Sequence, residues 1–243
     1  MISEVFSSIM GEGKYIGRRY IFVRFRGCPL QCIYCDESIK DNIPSRVERS
    51  PGSGAFQEYP NIERDLIEIV NNLKTPDLFA VSFTGGEPLL HYKKLREYSE
   101  KLQDLGYRTH LESNGLYPER LFFFDYASID IKLPEHFKGL DEKEYRRIYK
   151  LELESIKKLY SMGSDVYGKV VVLENSDPKV VEDVAKDISD IGDITLSIQP
   201  VTPIKDIKPV SQGKLLEMMK LCGRYLGNNV MCTPQIHKYL GML

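Results

Sequence analysis

Cys28, Cys32 and Cys35 fall within eight residues, in the segment GCPLQCIYCDES. The C-x3-C-x2-C spacing puts three soft thiolates on one short loop, and thiolates suit iron–sulfur clusters, zinc and copper(I). The count discriminates among them. Structural zinc takes four protein ligands, and the fourth would have to come from distant Cys222 or Cys232 or from one of four histidines. A cube of iron and sulfur held by three cysteines leaves one iron open to bind a cofactor or substrate. The expectation is a 4Fe–4S cluster; a non-catalytic zinc-binding module is the alternative from another class.

A second chemical segment is Thr84-Gly85-Gly86-Glu87-Pro88, at the end of a strand-like run, Leu78–Thr84 (LFAVSFT). Its glycines let the backbone approach a ligand closely. The cysteine spacing, with Tyr34 before the third cysteine, and this GGEP string one βα unit later together resemble the radical SAM superfamily. The resemblance implies that the open iron is chelated by the amino and carboxylate groups of S-adenosylmethionine (SAM). Reductive cleavage then gives methionine and a 5′-deoxyadenosyl radical that abstracts a substrate hydrogen.

Segments at both ends of the chain narrow the resemblance. The opening FSSIMGEGKYIGRRYIFVRFRGCPLQCIYCD, the late Gln199-Pro200 and the ending Thr233-Pro234-Gln235-Ile236-His237-Lys238 are similar to the 7-carboxy-7-deazaguanine synthase family. That likeness implies ring contraction of 6-carboxy-5,6,7,8-tetrahydropterin with release of ammonia, on the route to queuosine or archaeosine in tRNA. Position by position, it assigns Ile9, Met10, Gly11 and Glu12 to the substrate turn and Arg24 to the substrate carboxylate, which a guanidinium grips with two parallel hydrogen bonds. Thr84, His237 and Lys238 would also touch substrate. Tyr34, Cys35 and Asp36 would meet the adenine side of SAM. Gly86, Glu87, Ser113, Asp130, Ile131, Lys132, Gln199, Pro200, Val201 and Thr202 would complete the SAM site. An activase that installs a glycyl radical on a partner enzyme shares the cysteine spacing and a D-x-K strand like Asp130–Lys132, and is the alternative among enzymes.

Two positions depart from the family pattern. Met10 replaces the glutamine of Q-G-E-G, removing a side-chain amide. Glu37 stands where the family carries the hydroxyl that ligates Mg2+ beside the substrate carboxylate. Glu37 is an oxygen ligand that Mg2+ accepts, although it adds negative charge next to the substrate; the alternatives are a metal moved to Ser38 or no metal at all.

The rest of the chain must position these groups. Its 243 residues fit one domain, and 33 basic against 35 acidic residues, a formal net charge of -2, leave no general electrostatic footprint for nucleic acid or an anionic membrane. The N-terminus reads as too polar for a signal peptide, and no apolar run approaches the ~20 residues of a spanning helix. A cytoplasmic enzyme acting on a small polar molecule is the expectation. The resemblance adds a homodimer and an electron donor such as flavodoxin or ferredoxin.

Strand-like Tyr20–Phe25, Leu78–Thr84, Arg108–Ser113, Tyr126–Lys132, Val166–Val172 and Ile194–Gln199 alternate with helical patterns. The helices are expected over Ile62–Leu73, capped by Asn61, and near Tyr92–Leu105, Pro118–Phe124, Glu142–Met162, Pro178–Ile188 and Ser211–Leu226. Six such units predict an α/β partial barrel of about six parallel strands with outer helices and chemistry at the strand C-termini, and the resemblance implies the (βα)6 radical SAM type. Ile39–Pro60, rich in Pro, Gly, Ser and charge, reads as an inserted loop and a candidate lid. Cys222 and Cys232 read as small core hydrophobes.

Overall fold

The structure, a computed structural model, describes residues 2–35, 44–203 and 207–243. Its centre is a set of parallel strands whose residues alternate between two faces. β1 (Ile2–Ile9) runs antiparallel to β2 (Arg19–Phe25). From β2 the parallel order continues through β5 (Leu78–Gly85), β6 (Thr109–Ser113), β7 (Tyr126–Ile131), β8 (Asp165–Val172), β9 (Thr195–Pro200) and the short β10 (Val230–Cys232). The sheet does not close on itself: β10 forms one edge, and β3 (Arg46–Glu48) and β4 (Phe56–Glu58) lie beyond β1 at the other. This is the expected open partial barrel, extended at both ends.

Helices α1 (Leu66–Leu73), α2 (Tyr92–Asp104), α3 (Glu142–Ser161), α4 (Pro178–Ser189) and α5 (Gln212–Leu226) form the outer layer; α6 (Ile236–Tyr239) is a final single turn. Val81, Phe83, Leu111, Ile129, Ile131, Val170, Val172, Leu196 and Ile198 face that layer and share one core cluster with Leu95, Leu102, Ile156, Leu159, Val184 and Ile188. The alternate residues point inward, and most are polar: Ser82 and Thr84, His110 and Glu112, Ser128 and Asp130, Lys169, Ser197 and Gln199. Burying so many polar groups is tolerable only because they bond to one another or face a ligand site. Among the described residues no helix is long and apolar enough to cross a membrane.

Three expectations about elements are corrected. The segment read as a loop carries β3 and β4, which pair as Arg46↔Glu58, Val47↔Gln57 and Glu48↔Phe56, and β3 pairs with β1. Glu48 explains the tight return, because its carboxylate accepts the N–H groups of Gly52 and Gly54 at 3.2 and 2.8 Å and of Ser7 at 2.8 Å. Residues 39–43 lie outside the described part. Pro118–Phe124 is no helix but one short turn, Pro118–Arg120, after which Leu121, Phe122 and Phe124 are buried in the core. The first helix begins at Leu66 rather than Ile62, with Asp65 at its N-cap.

Candidate active site

Strand C-termini, the cysteine loop and both ends of the chain converge on one pocket. Cys28, Cys32 and Cys35 line it together with Ile9, Met10, Gly11, Glu12, Arg24, Tyr34, Thr84, Gly86, Ser113, Asp130, Lys132, Gln199, Val201, Thr202, His237 and Lys238. Those residues reach the lining from positions more than two hundred apart in the chain. Glu87, Ile131 and Pro200 do not line it. Glu87 is fully buried beneath it, and Ile131 points into the core between sheet and helices. Asp36 and Glu37, and with them the expected magnesium ligand and Ser38, lie outside the described residues.

The cysteine loop is fastened to the strands on two sides. Ile33 N–H donates to His136 O at 2.9 Å, and the Tyr34 ring meets the His136 ring edge-on at a centroid distance of 4.7 Å. His136 is itself fixed between Leu133 N–H and Val171 O, which takes it out of contention as a metal ligand. On the other side Gly86 passes so close to the loop that a Cβ there would lie 2.1 Å from Gly27 O. Asn114 Nδ2 donates to Cys28 Sγ at 3.7 Å. All three thiols are free of disulfides, and burial raises the pKa of Cys28 and Cys32.

The donor set fits a 4Fe–4S cluster. Among the described residues no three His, Cys, Asp or Glu side chains gather as around a single ion, and a cube that offers a separate iron to each thiolate does not need them to. A bound cluster compensates for the burial that otherwise disfavours the thiolate.

Glu87 supports this side of the pocket from below. Its carboxylate accepts Leu89 N–H at 2.9 Å, Asn114 N–H at 2.8 Å and Ser113 Oγ at 3.0 Å. Burial outweighs these bonds and pushes its pKa up to about 7. The glutamate of the GGEP string is therefore a support for the Ser113–Asn114 strand end.

A row of polar contacts crosses the pocket from Thr202 to Tyr34 of the cysteine loop. Thr202 Oγ1 donates to Gln235 Oε1 at 2.6 Å, and Gln235 Nε2 to Glu12 Oε2 at 3.0 Å. Glu12 Oε1 bonds Lys169, whose ammonium is also 3.1 Å from Asp130 Oδ1. Lys132 Nζ lies 2.9 Å from Asp130 Oδ2 and donates to Tyr34 OH at 3.3 Å. Burial alone would raise the Asp130 pKa; the two ammonium groups prevail and hold it down at about 2. Asp130 in turn keeps both lysines well above the ordinary lysine value against the pull of burial. Glu112 is pushed up to about 7, chiefly by burial, and accepts Ser82 Oγ at 2.9 Å.

Arg24 sits at the N-terminal side. Glu4 holds its Nη1 at 3.2 Å while binding Arg46 of β3 through the other oxygen, and the guanidinium lies over the Phe6 ring. Gly11 packs against His237 so tightly that a Cβ would sit 1.7 Å from the imidazole Nδ1. Ile236 N–H donates to Gly11 O at 2.8 Å, which seats the last turn on the first. Met10 belongs to an apolar cluster with Phe6, Tyr20 and Phe22, while its backbone closes the turn through Arg18 and Gly17. A side-chain amide at this position is thus replaced by packing.

Phe6, Phe22, Leu30, Gly85, Val171, Leu243 and above all Lys169 line the pocket without having been singled out as site residues. Lys169 had a legible signal, a lone charge in the apolar strand VYGKVVV. The aromatic residues had none, because Phe6 and Phe22 look like any strand hydrophobe.

The Radical SAM superfamily model matches residues 22–188. A 7-carboxy-7-deazaguanine synthase of Methanocaldococcus jannaschii is 61% identical over 244 residues, covering 100% of both chains. Another, from Methanothermobacter thermautotrophicus, is 38% identical over 257 residues and covers 99% of this chain and 97% of its own. The crystal structure of QueE from Escherichia coli shares the fold with a TM-score of 0.59 at 18% identity, over 96% of this chain and 92% of that one.

Proposed function

This chain belongs to the radical SAM superfamily, and on that premise we propose that it is a 7-carboxy-7-deazaguanine synthase, converting 6-carboxy-5,6,7,8-tetrahydropterin to 7-carboxy-7-deazaguanine with release of ammonia. The observation that carries this reading is the single pocket in which the N-terminal cysteines meet Glu12, Arg24 and the terminal His237 and Lys238. Full-length identity of 61% to a curated synthase supports it. A cluster alone would require only the cysteine loop; the convergence of both chain ends on it calls for a small acidic substrate.

When bound, the cluster and SAM supply a one-electron cleavage whose carbon radical abstracts a substrate hydrogen. The residues do the rest. Cys28, Cys32 and Cys35 hold the cluster, with the Asn114 amide directed at Cys28 Sγ. Tyr34, Cys35, Gly86, Ser113, Asp130, Lys132, Gln199, Val201 and Thr202 would form the SAM wall, where Lys132 suits a carboxylate and Asp130 accepts from hydroxyl or amino groups. Ile9–Glu12, Arg24, Thr84, His237 and Lys238 form the substrate wall. Arg24 suits the pterin carboxylate, and Glu12 can accept N–H groups of the pterin ring. The end of the chain contributes His237, Lys238 and Leu243 to the pocket wall.

Mg2+ held by Glu37 beside the substrate carboxylate, a homodimeric cytoplasmic enzyme and a flavodoxin or ferredoxin as reductant complete the proposal. The test is anaerobic turnover with SAM, reductant and the carboxypterin, with the product identified by mass spectrometry. Carboxydeazaguanine is the expected product. Formation of 5′-deoxyadenosine without it would keep the superfamily and reject the substrate.

A further inference from the structure

Lys169 stands in the middle of β8, flanked by Gly168 and Val170, and its side chain is only 7% exposed. Its backbone is in register with Asp130 on β7 and Ser197 on β9. The ammonium bonds Glu12 from the N-terminal turn and lies 3.1 Å from Asp130 Oδ1. Glu112, reaching the same pocket from β6, adds a third carboxyl to its electrostatic surroundings. Each of the two contacting acids has another tether on its far side: Gln235 holds Glu12 at 3.0 Å and Lys132 holds Asp130 at 2.9 Å.

A buried ammonium is retained only where carboxylates pair with it, and buried carboxylates only where something neutralises them. Lys169 therefore joins two walls that the chain builds from different places. Glu12 belongs to a turn that the C-terminal segment covers, whereas Asp130 ends a central strand. Hydrogen abstraction demands that the two reactants be held within a few tenths of an ångström of one geometry. Hydrogen-bonded turns alone do not fix that distance across an open barrel.

We propose that Lys169 is a positioning residue of the reaction: by binding Glu12 and Asp130 at once, it sets the separation of the substrate wall from the SAM wall. The proposal rests on the assignment of those two acids made above. Without the ammonium, the Glu12 and Asp130 carboxylates face one another and repel, so both sites lose their geometry together. The far-side tethers keep the acids in the pocket, which makes the effect one of placement.

The test compares Lys169→Met, Lys169→Arg and the double variant Glu12→Gln/Lys169→Met with the wild type, each as anaerobically reconstituted holoenzyme. Iron content, SAM affinity from the change in the cluster's spectrum on titration, and the KM and kcat for the carboxypterin are measured separately. Lys169→Met is expected to load iron normally, yet bind SAM at least about ten-fold more weakly and show a similar rise in KM. Lys169→Arg recovers most of both losses. The double variant regains SAM affinity while its KM stays high, because removing the opposing charge relieves Asp130 without restoring the substrate contact. A lysine that only supports the fold would give no such recovery. Unchanged SAM affinity in Lys169→Met, or a double variant as weak as the single one, overturns the proposal. Should Lys169→Met fail to load iron, Glu12→Gln decides: a SAM affinity altered by at least about three-fold supports the bridge, and an unaltered one overturns it. If the wild type does not turn over the carboxypterin, the substrate reading falls, but the SAM measurements still decide the role of Lys169.

Discussion

Glu87 accepts the backbone N–H of Asn114 through Oε2 at 2.8 Å, 27 residues along the chain and from a neighbouring strand end. The same asparagine sends its side-chain amide to Cys28 Sγ. A buried carboxylate thus fixes the peptide whose side chain reaches a cluster ligand, joining the GGEP turn, the end of β6 and the cysteine loop in one unit. The placement of Asn114 against Cys28 therefore depends on a side chain buried beneath the pocket.

Replacing Glu87 with alanine strips the acceptor from Leu89, Ser113 and Asn114 together. The expected cost is about 2–4 kcal/mol of stability, with a lower iron content after reconstitution. Glu87→Gln, which keeps an oxygen acceptor, loses less. Denaturant unfolding and iron analysis check both.

The same residue makes a pH prediction. Burial raises its folded pKa from 4.5 to about 7, so the native state holds a proton that the unfolded state releases between those values. The stabilisation is fully present below about pH 4.5 and is lost as pH rises toward 7. It is read as the difference between wild type and Glu87→Gln, because His110 and His136, lowered to about 3 by burial, favour the native state as pH rises over an overlapping range. Thermal unfolding from pH 4 to 8 should show the wild type losing ground to Glu87→Gln through that window; parallel curves contradict it.

Serine at Cys28, Cys32 or Cys35 removes one of three thiolates, and each variant should retain less than about a tenth of the wild-type iron. Cys222→Ala should load iron normally. Cys222 is wholly buried in the core, its thiol directed at Val181 O, so the change costs only about 1 kcal/mol of packing.

Gly86→Ala introduces a Cβ 2.1 Å from Gly27 O. Backbone cannot yield as a side-chain tip can, so the cysteine loop must move. Weakened SAM binding and incomplete iron loading are expected, measured on the reconstituted protein; a variant with wild-type values would show that the loop is free to shift.

Arg24→Ala should raise the KM for the carboxypterin about a hundred-fold, and Arg24→Lys about ten-fold, since lysine keeps the charge but not the fork. Glu4→Gln should act in the same direction more weakly, because Glu4 orients Arg24 at 3.2 Å and shares itself with Arg46. Iron content should not change in any of the three.

Much of this molecule is decided by short-range pattern. The thiolate spacing lies within eight residues, and the period of apolar residues marked the central strands and most of the outer helices. The inward row Thr84, Asp130 and Gln199 follows from strand alternation alone. Other features depend on what meets what. Arg46–Glu48 and Phe56–Glu58 are too short and polar to announce themselves as strands; they exist because β1 offers an unpaired edge and Glu48 ties the return between them. Pro118–Phe124 has helical spacing, yet the core draws in Leu121, Phe122 and Phe124 in an extended connection. Lys169 and Glu12 stand 157 residues apart, and neither the bond between them nor the charge state of Glu112 can be read from local order. Both are set by burial and by partners that only the folded barrel brings together.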